Sequence, residues 1–287
     1  MFTETNSEGK PVVKMTDEQR YTFDLKGWLP VKGLLSKDEI DEMVAFAYEL
    51  KENKESVPER DRSTIGGPLE KLTDHPVVVG LMQEFVGDAH VESDEGYGFR
   101  MEFSFMGLRY RKFAHDHWGP HGGKGPQVWT RPESGTCHRY TSSPGKAFAG
   151  LVQVVWELTD VIHGHGTHFI SGTHKACFDI PDSVKAGPEH PLWETYECPA
   201  GSLVFFAEAT THSGSAWKNP DHDRVAIFNS YNSISSRYHY WDPHPDQLAA
   251  MPPKRRSLFR KVCYEWNKVG MEHLPPQEEL DAQARGF

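Results

Sequence analysis

The sequence predicts a mainly β protein with flanking helices, of β-sandwich or jelly-roll architecture. Helical periodicity is confined to roughly the first 86 residues and to a stretch near the C-terminus, whereas period-two alternation with frequent turn residues runs from about 97 to 236. The 287 residues leave room for a substantial core, and 37% of them are hydrophobic. No repeat or linker divides the chain, so a single domain over 16–270 is expected, between a loose tail at 1–15 and a polar tail at 271–287.

Thr16 with Gln19 and Ser36 with Glu39 match the capping box that satisfies free N–H groups at a helix start, and two helices follow. The second runs from about Lys37 into the 50s with Ile40, Met43, Val44 and Ala47 on its buried stripe. Trp28–Val31 between them reads as a short strand closed by Gly33, and a third helix is expected at 76–86, with Asp74 as cap, Pro76 in the first turn and Gly87 at the end. Phe99–Met106, Leu151–Leu158, Gly201–Phe206 and Arg224–Phe228 read as strands. From 253 to 270 a helical pattern returns, with Leu258, Val262 and Trp266 on one face.

Acidic residues outnumber basic ones 41 to 31, a net charge of −10 that argues against nucleic acid as a partner. Apolar runs such as Val77–Leu81 are too short to span a bilayer, and the opening MFTETNSEGK is no signal peptide, so a soluble cytoplasmic protein acting on a small molecule is expected, with a homodimer left open. The Lys254–Arg256 run reads as a solvated helix face or as a contact for phosphate or a partner subunit. Cys137, Cys177, Cys198 and Cys263 are far apart and read as reduced thiols.

Histidine is abundant, at 16 residues, and neutral imidazole is the commonest protein ligand for transition metals. His212 follows the apolar run Gly201–Ala207 and a short polar turn, and Arg224 opens another apolar strand 12 residues later. On adjacent strands both could point inward, where a guanidinium needs an anion; the carboxylate of a ligand and the nearby Asp221 or Asp223 are the two readings.

The segment Gly201–Arg224 resembles the core of the phytanoyl-CoA dioxygenase family. So do Val155-Trp156-Glu-Leu-Thr-Asp160, Gly166-Thr-His-Phe-Ile170 with Ser171-Gly-Thr-His-Lys175, and the N-terminal Phe23–Leu35; the resemblance covers roughly 20–235. It implies a double-stranded β-helix, cupin-like core and an oxygenase that uses Fe(II), 2-oxoglutarate and O2 to hydroxylate a small molecule, releasing succinate and CO2. By it His212 is the distal iron ligand and Arg224 the anchor of 2-oxoglutarate. The family's His-x-Asp has no match here. His115, His117, His121 and His138 are the candidates for the proximal ligand, and His121 in Gly119-Pro-His-Gly-Gly123 is preferred over His138, which would leave Tyr140 in the carboxylate position.

With His121-Gly122-Gly123 as the motif, a glycine stands where the carboxylate belongs. Three repairs follow: chloride at the position vacated at Gly123, as in the related halogenases; a substitute carboxylate from Glu208 or Asp116; or a non-catalytic binding barrel. A cupin-like metal protein independent of 2-oxoglutarate is a further alternative. Gln153 points inward by the alternation of its strand and could bond cosubstrate or substrate, while Trp156 and Trp217 are read as core or as pocket walls.

Overall fold

The structure, a computed structural model, describes residues 2–113, 117–122, 139–239 and 241–262. The expectations for His115, Asp116, Gly123, His138, Trp266 and the 271–287 tail lie outside the described residues. Helices α1 (Asp17–Lys26) and α2 (Lys37–Glu52) both open with the capping boxes read from the sequence. Gly27 ends α1 at φ 81°, and a Cβ there would overlap the Thr210 hydroxyl and the His174 ring, so only glycine lets this helix end so close to the sheet.

Helix α3 (Pro76–Phe85) is almost wholly buried, and its cap differs from expectation: the His75 ring accepts the Val77 N–H. Asp74 instead accepts hydrogen bonds from Arg255 Nε and Tyr97 Oη, both 2.8 Å away, because a buried carboxylate gains more from a guanidinium than from a helix N–H. Strand β1 (Trp28–Val31) sits at the edge of an antiparallel sheet of order β1-β7-β5-β9-β2. Its other members are β2 (Phe99–Arg109), β5 (Val152–Glu157), β7 (Ser202–Ala207) and β9 (Arg224–Ser233). A hairpin of β3 (Tyr140–Ser143) and β4 (Lys146–Ala149) lies outside it.

A second layer pairs β6 (His168–Ile170) with β8 (Thr211–Ser213), and single bridges extend it on both sides, Phe169 with Glu194 and His121 with His212. Alternation sorts the side chains of the large sheet. Val154, Trp156, Leu203, Phe205, Val225 and Ile227 pack on the helices with Phe23 and Met43, while Val155, Val204, Phe206, Ala226 and Phe228 face Phe169, Tyr196 and Trp217 in the second layer. The result is a two-layer sandwich with no closed barrel among the described residues. Trp156 is therefore helix-side core, and Trp217 lies between the layers.

After the short α4 (Asp182–Lys185) and α5 (Pro245–Ala250), the expected C-terminal helix proves brief. Helix α6 (Pro253–Arg256) gives way to one 3-10 turn, and the chain is extended again at Arg260. Burial of the basic run ends it. Lys254 donates to Thr3 Oγ1 and the Thr5 carbonyl, Arg255 holds Glu8, Glu70 and Asp74 at 2.8 Å each, and Arg260 donates to the Tyr97 carbonyl. Neither a solvated face nor a phosphate contact describes Lys254 and Arg255; both are internal fasteners. They also tie down residues 2–15, where Thr3, Asn6 and Met15 are buried.

His174 in the Ser171–Lys175 stretch is fully buried, donates Nε2–H to the Asp24 carbonyl at 3.0 Å, and burial lowers its pKa to about 4, as it does for His75. The unfolded imidazoles take protons near pH 6.5, so their contribution is complete above that value and is lost as pH falls through about 4. Urea denaturation is expected to show a loss of about 2 kcal/mol per imidazole between pH 7 and 5, above the range where ordinary carboxylates titrate. A flat profile over that interval would show both rings to be freely protonated in the fold.

Candidate metal centre

β7 and β8 are joined by a tight turn closed by Thr210 N–H to the Ala207 carbonyl at 2.8 Å, with Glu208 N–H bonded to the Leu151 carbonyl at 2.9 Å. This turn puts Glu208 and His212 on the same side, with His212 Nε2 3.7 Å from Glu208 Oε1. His121 reaches them from a separate segment through a reciprocal main-chain pair with His212: N–H to carbonyl at 3.0 Å one way and 2.9 Å the other. Their rings stand 4.1 Å apart between centroids. One donor atom from each of His121, Glu208 and His212 lies within 4.8 Å of the others, the one such cluster among the described residues.

Gly122 makes this approach possible. It has φ 79°, and a Cβ on it would stand 2.5 Å from the Thr210 carbonyl oxygen and 2.7 Å from that of Glu208. Any side chain here would push the His121 segment off the turn that carries the other two donors.

The tautomers follow from the backbone. His121 Nδ1 is 2.7 Å from the Gly119 carbonyl and His212 Nδ1 is 2.8 Å from the Thr210 carbonyl. A carbonyl only accepts, so each Nδ1 carries the hydrogen and each Nε2 turns a lone pair toward the cluster. Gln153 Nε2 donates to Glu208 Oε2 at 3.0 Å and its Oε1 accepts from Ser230 Oγ at 2.6 Å. Gln153 thus points inward and aims the carboxylate. Two imidazoles and one carboxylate, half-open on the His121 side, form a donor set suited to a divalent first-row metal with coordination positions to spare.

Arg224, paired with Arg109 across β9 and β2, is not free. It is fully buried and its Nε and Nη2 hold Glu157, the first of these at 3.1 Å; Tyr196 donates to the same carboxylate. Burial opposes the charge, yet Glu157 overrides it and raises the pKa of the guanidinium. This corrects the reading of Asp221 or Asp223 as its partner. Asp223 accepts from Tyr48 Oη and the Arg111 N–H, and the carboxylate on Arg224 comes from β5, far off in the chain. Of the Arg224 side-chain nitrogens, Nη1 alone has no partner among the described residues. Opposite it in register on β2 stands Arg109, which sequence reasoning passed over. Alternation along 99–109 and along 152–157 could have flagged both Arg109 and Glu157 as inward charges.

His117 is exposed and near Gly214, on the rim of the cluster. Substitution Glu208→Ala is expected to lower the affinity for Co(II) or Ni(II) about 100-fold, and Gln153→Ala about 10-fold, in anaerobic calorimetric titrations. Unchanged affinity in Glu208→Ala would remove the carboxylate from the ligand set.

No family model and no curated protein sequence matches the chain. Solved structures do. HygX from Streptomyces hygroscopicus, with nickel and 2-oxoglutarate bound, superposes with a TM-score of 0.62 at 17% identity over 82% of this chain and 94% of HygX. The non-heme alpha ketoglutarate dependent carbocyclase SnoK from nogalamycin biosynthesis gives 0.55 at 15% identity over 92% and 98% of the two chains. The epimerase SnoN from the same biosynthesis gives 0.51 at 18% identity over 79% and 92%. The fold of this chain is accordingly the double-stranded β-helix with flanking helices.

Proposed function

We propose that this chain is an Fe(II)- and 2-oxoglutarate-dependent oxygenase of phytanoyl-CoA dioxygenase type that hydroxylates a small-molecule substrate and releases succinate and CO2. The observation that carries this reading is the His121-Glu208-His212 donor set, held in the fold that HygX, SnoK and SnoN share. When bound, iron with 2-oxoglutarate and O2 supplies the oxidising chemistry. The chain supplies the rest.

His121, Glu208 and His212 would hold the ion on three sides and leave the remaining positions to ligands. The carbonyls of Gly119 and Thr210 hold the Nδ1 hydrogens, so each neutral ring offers its Nε2 lone pair to the ion. Gln153, braced by Ser230, prevents the Glu208 carboxylate from swinging away. Phe206 and Phe169, with ring centroids 4.7 and 6.4 Å from that of His212, keep water off the inner side of the ligand. On the same face of the sheet a positively charged pair, Arg109 and Arg224, meets one carboxylate, with the Arg109 guanidinium beside Gly214 and Ser215 just beyond His212, which suits an anionic cosubstrate. Glu208 answers the shortage of a carboxylate on which the chloride alternative rested. No helix among the described residues is long and apolar enough to cross a membrane.

Anaerobic protein given Fe(II) and then 2-oxoglutarate should develop a visible charge-transfer absorption, and admission of O2 should yield succinate in proportion to 2-oxoglutarate consumed. The His212→Ala variant should give neither. Mass analysis of the product of a trial substrate separates added oxygen from loss of two hydrogens and from inversion, which leaves the mass unchanged; this matters because SnoK and SnoN are a carbocyclase and an epimerase. An iron-loaded protein that gives no absorption with 2-oxoglutarate would refute the reading.

A further inference from the structure

Arg109 and Arg224 are direct cross-strand partners on β2 and β9, and both side chains face the space between the layers. Like charges so placed repel, and Glu157 can compensate one of them. It is committed to Arg224, on which it closes two hydrogen bonds. Arg109 has no carboxylate partner among the described residues: its Nη1 donates to the Ser215 carbonyl. Burial, and next Arg224, lower its pKa to about 10.

The placement of this unneutralised charge is specific. A Cβ on Gly214 would stand 2.8 Å from Arg109 Nη2, so the guanidinium lies against the main chain just beyond His212. Arg224 is fully buried and its Nη1, with no acceptor among the described residues, belongs to the same charged cluster as Arg109, Glu157 and Tyr196. Two guanidiniums, one carboxylate and one orphaned N–H describe a site short of one anion.

We infer that Arg109, assisted by the unused Nη1 of Arg224, holds the far carboxylate of 2-oxoglutarate, Arg109 providing the uncompensated charge. This rests on the proposed use of 2-oxoglutarate and changes which residue selects it. The Arg224–Glu157 pair is then a neutral positioning pair, and the preference for a dicarboxylate comes from a strand at the opposite edge of the sheet from β1.

The test compares 2-oxoglutarate with 2-oxopentanoate, which has the same chain length and no far carboxylate. Anaerobic Fe(II)-loaded wild type, Arg109→Gln and Arg109→Lys are titrated with each acid, following the charge-transfer absorption, and Fe(II) affinity is measured separately. Wild type should prefer 2-oxoglutarate about 100-fold, the value of a charge-assisted pair. Arg109→Gln should lose that preference with its affinities for 2-oxopentanoate and Fe(II) unchanged, and Arg109→Lys should fall between. If Arg109→Gln or Arg109→Lys keeps the full preference, the anchor lies elsewhere and the inference fails alone. Equal loss for both acids in Arg109→Gln would make Arg109 structural and also overturn it. Wild type that binds neither acid would sink the proposed function together with this inference.

Discussion

Two main-chain hydrogen bonds between His121 and His212 are the constraint on which the centre depends. Glu208 and His212 share one turn and would face each other in any protein with that turn. His121 belongs to another segment, and what brings it in is backbone pairing backed by the absence of a side chain at Gly122. The geometry of the donor set is thereby a property of the sheet rather than of the side chains, which then need only settle their rotamers. Carbonyl groups of the same backbone, at Gly119 and Thr210, fix the imidazole tautomers. Thr173 adds a third restraint, its hydroxyl accepting the Thr211 N–H at 2.7 Å on the strand that carries His212.

Much of the frame was legible because its causes are local. The capping boxes at Thr16 and Ser36 involve residues three apart, and the alternation that defines β2, β5, β7 and β9 is written in consecutive positions. What escaped depends on distant partners. Asp74 looks like a cap until Arg255 arrives, 181 positions later. Arg224 looks free until β5 lies beside β9 and delivers Glu157, 67 positions earlier. The C-terminal periodicity was genuine for one turn, and the pull of buried partners on Arg255 and Arg260 ended it. At the centre, Glu208 was identifiable as four residues from His212, but its support by Gln153 and Ser230 requires three strands in register.

Buried charge in this protein is handled in two ways. Arg255 meets three carboxylates and joins both ends of the described chain to the 3-10 segment Gly67–Leu72 and to Asp74 just before α3, a saturated arrangement in which removing one partner leaves the others. The Arg109–Arg224–Glu157 group is unsaturated by contrast. Desolvating a guanidinium without a matching anion is costly, and a fold keeps such a deficit only where something else removes it. The first cluster serves cohesion, and the second carries two guanidiniums on one carboxylate.

Strand β1 closes one side of the large sheet through Trp28–Val31 and pairs Pro30 with Val204. A proline ring carries no amide hydrogen, so the outward row of donors along this margin is interrupted at its centre. Another molecule sliding alongside would meet a gap where a continuous ladder has to form. Growth of the sheet into stacked or fibrous assemblies is thus discouraged at the strand most open to it, while Trp28 still packs inward against Phe169.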